Sequence, residues 1–100
     1  MNNLTSNQRK ILSSGAQTIK PVVQIGQNGL TDAVIQKIDQ SLSAHELIKV
    51  KFLDFKDDKQ ELADKLCESC KAALVRIIGN VAVLYRPAEK EEKRKYNIIF

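Results

Sequence analysis

The sequence predicts an α/β fold, a single-domain αβαβαββ sandwich with a four-stranded mixed sheet. Segments with apolar residues at helical spacing alternate with short β-prone runs. The 100 residues, 43% of them hydrophobic, are enough for one core without metal or disulfide staples. The last two β-prone runs are joined by Gly79-Asn80, a two-residue hairpin signal of the primed-turn kind.

Thr5-Ser6-Asn7-Gln8 has the form of a capping box, and Ile11, Leu12, Ala16 and Ile19 follow at helical spacing. A first helix is therefore expected over about residues 6 to 18, stopped by Pro21. Gly15 falls inside this pattern, which suits close packing against a neighbour. Val22, Val23 and Ile25 form a short strand ending at Gly26, and Thr31 can cap a second helix with Val34, Ile35, Ile38 and Leu42 on its apolar face. Ile48, Val50 and Phe52 alternate with Lys49 and Lys51, the pattern of a strand with one buried and one open face. Asp57 and Asp58 suit the start of a third helix that buries Leu62, Leu66 and Cys70. Ala72 to Ile78 and Val81 to Arg86 complete the strands. If successive strands separated by a helix pair in parallel, their crossovers are right-handed, with the last strand antiparallel. From Ala88 the chain mixes Glu and Lys before ending in Tyr96-Asn97-Ile98-Ile99-Phe100, a tail expected to be loosely ordered in its charged part.

The net charge of +4 and pI near 9.2 favour a polyanionic partner only modestly. Its distribution is more informative. Residues 1 to 31 carry Arg9, Lys10 and Lys20 and no acid, whereas residues 57 to 70 hold five acids against Lys59 and Lys65. A basic side and an acidic side are expected. Cys67 and Cys70 lie three apart in a helical stretch and are read as core thiols of a reduced, cytoplasmic protein. A zinc site needs about four ligands, and only His45 could join the two thiols, so no metal and no cofactor are assigned. No apolar run reaches the roughly 18 residues a membrane span needs. His45-Glu46 has no accompanying nucleophile or metal set, so no catalytic residues are assigned and the chain is not read as an enzyme.

The segment that carries chemistry is Gly26-Gln27-Asn28-Gly29, between a strand and a helix. Glycines permit positive φ and let a ligand approach the backbone, and the following helix start offers unpaired N–H groups to a phosphate. Gln27 and Asn28 add neutral donors, Lys20 is expected to add charge from the preceding turn, and ligands commonly bind at the carboxyl ends of strands in open α/β sheets.

Leu4-Thr5-x-x-Gln8-Arg9, the continuous run Lys20 to Thr31, His45 to Lys51, Ile77-Ile78-Gly79-Asn80-Val81 and Leu84-Tyr85-Arg86 together closely resemble the stand-alone CRM domain, the YhbY-like family of bacterial RNA-binding proteins. The resemblance implies a CRM-type RNA-binding domain over residues 1–87 followed by a charged tail, 88–100. It also implies a sandwich like the C-terminal domain of translation initiation factor three, a KH-like Gly-x-x-Gly loop and association with large-subunit ribosomal RNA or pre-ribosomal particles. Gln27 departs from the family pattern, which usually places a lysine there. Expected RNA contacts are Gly26, Gln27, Asn28, Gly29, Thr31, Lys20, Arg9, Lys10, Lys49, Lys51 and Arg86. With few aromatics and no tryptophan, backbone and shape recognition is expected over an extensive stacking platform. The competing reading is an adaptor that docks on ribosomal proteins through the acidic helix or the apolar tail. A monomer is expected, since the charged faces suggest no self-complementary apolar patch.

Overall fold

The computed structural model describes residues 4–96. Helix α1 (Ser6–Ala16) leads into β1 (Pro21–Ile25), α2 (Asp32–His45), β2 (Leu47–Phe52), α3 (Lys59–Cys70), β3 (Ala73–Ile78) and β4 (Val81–Tyr85). The capping box forms, with the Gln8 amide donating to Thr5 Oγ1 at 3.1 Å and the Thr5 amide donating to Gln8 Oε1 at 2.8 Å. Thr31 caps α2 by accepting from the Val34 amide. A 3-10 turn over Lys56–Asp58 precedes α3, which therefore starts one or two residues later than the Asp57-Asp58 signal.

The four strands lie in the order β1-β2-β4-β3. β1 pairs in parallel with β2, while β4 is antiparallel to both β2 and β3. Strands β2 and β3 thus point the same way without pairing. The tight Gly79-Asn80 hairpin holds β3 beside β4, and β4 takes the place next to β2. Pro21 opens β1 at an edge of the sheet, where its missing N–H is tolerated.

Helices α2 and α3 cover one face of the sheet, burying Val23, Ile25, Ile48, Val50, Phe52 and Leu84 against Ile38, Leu42 and Leu66. Each such side chain contributes about 1.5–3 kcal/mol when fully buried. Helix α1 covers part of the opposite face, with Leu12 and Ala16 over Leu47, Ala73, Val75, Val83 and Tyr85. The basic first helix and the acidic third helix therefore lie on opposite sides of the sheet. The alternation of β2 holds on its buried side, where Ile48, Val50 and Phe52 are fully enclosed.

The tail is more ordered over its described part than its composition suggests. Tyr96 packs into the α1-side core and meets Tyr85 edge to face, with ring centroids 6.2 Å apart. This explains Gly15: a Cβ there would sit 2.9 Å from Tyr96 Cε1 and 3.4 Å from Leu47 Cδ2. Glu46, also buried, accepts from the Lys95 amide at 2.7 Å through Oε1. The apolar end Ile98-Ile99-Phe100 lies outside the described residues.

Cys67 and Cys70 are free thiols buried under α3. Burial pushes the Cys67 thiol from 9.0 up to about 12, reinforced by the Asp64 carboxylate and Cys70. Burial, and after it Glu46, likewise pushes the Tyr85 phenol from 10.0 up to about 12. The folded chain holds both protons more tightly than the unfolded chain does. The resulting stabilisation is complete below the unfolded values and is lost as pH rises through the window from 9.0 towards about 12. The urea midpoint is expected to fall between about pH 8 and pH 11, with a shallower fall in Cys67→Ala. A flat profile would contradict this.

Candidate nucleic-acid interface

The parallel pairing places Ile25 opposite Phe52, so the chain leaves β1 and β2 at the same end of the sheet. The Ile25 carbonyl accepts from both the Leu53 amide (2.9 Å) and the Asp54 amide (3.3 Å). This ties the start of the glycine loop to the segment after β2. The β3–β4 hairpin arrives at the same end, where the Asn80 carbonyl accepts from the Phe52 amide at 2.8 Å and the Gly79 carbonyl accepts from Lys59 Nζ at 2.6 Å.

Within the loop, the Gly29 amide donates to the Gly26 carbonyl at 3.0 Å and closes a turn with Gln27 and Asn28 exposed at its tip. Gly29 takes φ +66°, a conformation that favours glycine. Gly26 differs. It has no positive φ, and a Cβ there would meet nothing within 4 Å. The fold does not require glycine at position 26, but an approaching backbone or phosphate would benefit from it. The amides of Gln27 and Asn28, together with the first turn of α2 at Asp32 and Ala33, face no described backbone acceptor.

The expected contact residues divide into groups. Gly26, Gln27, Asn28, Gly29 and Thr31 form one continuous surface, joined by Lys51, which is exposed opposite Gln24 in the neighbouring strand. Lys49 is half-buried, and its Nζ donates to the Ile19 carbonyl at 3.0 Å. Lys20 does not sit beside the loop as expected: it precedes β1 and the loop follows β1, which puts them on the order of 20 Å apart at strand rise. Arg9 is held on β3, donating to the carbonyls of Leu74 (2.7 Å) and Val75 (2.8 Å) where the pairing register of that strand shifts. Lys10 is exposed next to it on α1, in a shallow depression shared with Ser13 and Arg76. Arg86 lies at the far end of the sheet, bonded to Asp39 Oδ1 at 2.6 Å, the Cys70 carbonyl at 2.7 Å and Ser43 Oγ at 2.8 Å. Arg76 pairs opposite Val83 on the α1 side, so the two arginines belong to opposite faces.

Residues not singled out from sequence complete the loop end. Leu53 and Phe55 are exposed beside the loop, and Ile78 is exposed at the same end on β3. The expected lack of an apolar patch therefore does not extend to this end of the molecule. Phe55 adopts the left-handed conformation, φ 58° and ψ 36°, which costs a bulky residue about 1–3 kcal/mol. The segment Leu53-Asp54-Phe55, apolar residues between a strand and an acidic helix start, was the available signal, but its backbone conformation leaves no trace in composition. The charge here is mixed: Lys51 and Lys56 stand with Asp32, Asp54, Asp57 and Asp58.

The model of the CRS1/YhbY (CRM) domain matches residues 4–86. The chain belongs to this family. This chain is 41% identical over 96 residues to the "Probable RNA-binding protein PA4753" of Pseudomonas aeruginosa, covering 95% of this chain and 92% of the relative. It is 41% identical over 91 residues to an "RNA-binding protein" of Haemophilus influenzae, covering 90% and 92% of the two chains. The solution structure of the hypothetical protein SAV1595 from Staphylococcus aureus superimposes with a TM-score of 0.78 at 39% identity, covering 94% of this chain and 99% of that chain. Among the described residues, no group of three His, Cys, Asp or Glu side chains could hold a metal ion, and no helix is long and apolar enough to cross a membrane.

The cations of the CRM domain therefore divide by role. Arg86→Ala is expected to lower the unfolding free energy by about 2 kcal/mol, because the part-buried Cys70 carbonyl loses its charged donor together with the bonds to Asp39 and Ser43. Lys51→Ala should change it by no more than about 0.5 kcal/mol. Urea denaturation of both variants checks the division, and equal effects would contradict it.

Proposed function

We propose that this chain binds RNA without catalysing a reaction, and that the Gly26–Gly29 loop with the start of α2 receives the phosphate backbone. The observation that carries the reading is Gly26, whose missing side chain serves no need of the fold and leaves open space at the start of the turn. The names of the relatives support RNA as the partner, and the resemblance to YhbY-like proteins supports large-subunit ribosomal RNA in pre-ribosomal particles, met in the cytoplasm. The RNA leaves the loop over the part of the sheet that α1 does not cover, past Gln24 and Lys51 towards Arg76 and Lys10. Lys20, Lys49, Arg9 and Arg86 take no direct part at the loop.

The contact relies on amides more than on cations, since Gln27 is neutral and acids stand nearby. Its salt dependence should be shallow, because log K falls by about 0.7 per tenfold rise in salt for each single-strand phosphate that a Lys or Arg neutralises, and amides release no counterions. In anisotropy titrations of large-subunit rRNA fragments, Gly26→Asp should bind about tenfold or more weakly, through like-charge repulsion at the phosphate site and loss of its charge-assisted bonds. Its circular dichroism and urea midpoint should match wild type. Equal binding by wild type and Gly26→Asp would remove the loop from this role. No binding by either would favour an adaptor that docks on ribosomal proteins through α3.

A further inference from the structure

We propose that the ring of Phe55 is the base-stacking surface of this interface, so that the RNA it takes is single-stranded, with a phosphate on the glycine loop and a neighbouring base on Phe55. This rests on the reading of the loop as the RNA site.

Three observations converge on the ring. The first is its exposure. Phe55 is 42% exposed, whereas Phe52 and Tyr85 are fully buried and Tyr96 is half-buried, packed at a right angle against Tyr85. Among the described residues it is the most exposed aromatic side chain. The second is its position. A Cβ on Gly29 would lie 3.5 Å from Phe55 Cε2 and 3.8 Å from Cζ, so the edge of the ring borders the loop itself. The shared Ile25 carbonyl, accepting from Leu53 and Asp54, holds the two segments together.

The third is the backbone. A phenylalanine at φ 58° is strained, and strained residues of this kind persist where the surroundings over-determine them, which is often at ligand sites. Here the strain does not bury the side chain. It presents an apolar ring at the surface, beside exposed Leu53.

A base can stack on this ring only if its face is free, and inside a duplex, away from its two ends, both faces are covered by neighbouring pairs. The mixed charge around the loop points the same way. With Asp54, Asp57 and Asp58 close in sequence to the ring, a binding mode based on cations alone would be weak, and a stacked base supplies attraction that the acids do not oppose.

The test uses the absence of tryptophan from this chain: Phe55→Trp becomes its single indole reporter. Phe55→Trp, Phe55→Leu and Phe55→Ala, each verified as folded by circular dichroism, are titrated with single-stranded oligoadenylate and with a blunt RNA duplex of the same length. Indole emission should be quenched by the single strand and not by the duplex. Phe55→Ala and Phe55→Leu should both bind the single strand about 5- to 150-fold more weakly than wild type, while Phe55→Trp keeps or exceeds wild-type affinity. Leucine retains apolar bulk without a π-face, so wild-type affinity in Phe55→Leu overturns the stacking role. If Gly26→Asp weakens binding but Phe55→Trp is not quenched and Phe55→Ala binds normally, the inference fails and the loop reading stands. If Gly26→Asp binds normally as well, both fail.

Discussion

The parallel pairing of β1 with β2 delivers the carboxyl ends of both strands to one edge of the sheet, so the chain must turn twice, side by side, after Ile25 and after Phe52. The Ile25 carbonyl holds these turns together by accepting two amides from the second. The rest of the site follows from this arrangement. The glycine loop sits against the Leu53–Phe55 segment, α2 starts beside it, and the β3–β4 hairpin closes the same end through the Asn80 carbonyl. The fully buried Ile48, Val50 and Phe52 on the other side of β2 keep its register from slipping, because a one-residue shift would bring Lys49 and Lys51 into the core.

Local signals in the sequence were reliable guides to the architecture. Thr5 with Gln8 and Thr31 before α2 describe chemistry that closes within a few residues and form as read, whereas the alternation from Ile48 to Phe52 holds on its buried side and the other face is only partly open, with Lys49 half-buried on the Ile19 carbonyl. The sheet order was less accessible, because the insertion of β4 between β2 and β3 depends on pairing between distant segments. Gly15 could be read as a site of close packing but not as a seat for Tyr96, which comes from the far end of the chain.

The candidate site was legible to the same extent. The loop itself, read from four consecutive residues, is where a strand meets a helix, as expected. The surrounding cations were not separable, because an arginine that closes a gap in the fold and one that awaits a ligand look alike in a sequence. Arg9 on the β3 carbonyls, Lys49 on Ile19 and Arg86 on Asp39 and Cys70 are all committed over long sequence separations. Lys20 was displaced by elementary geometry, since a strand lies between it and the loop. The placement of Phe55 was not legible because it depends on an unusual φ angle and on a glycine distant in sequence.

If the loop end of the sheet is the RNA surface, amide chemical-shift mapping of isotope-labelled protein titrated with a single-stranded large-subunit rRNA fragment will show it. The largest shifts are expected on residues 26–33 and 53–56, extending to Gln24 and Lys51. Shifts confined to the opposite end, around Lys71, Arg86 and Lys90, or to the acidic face of α3, would contradict it.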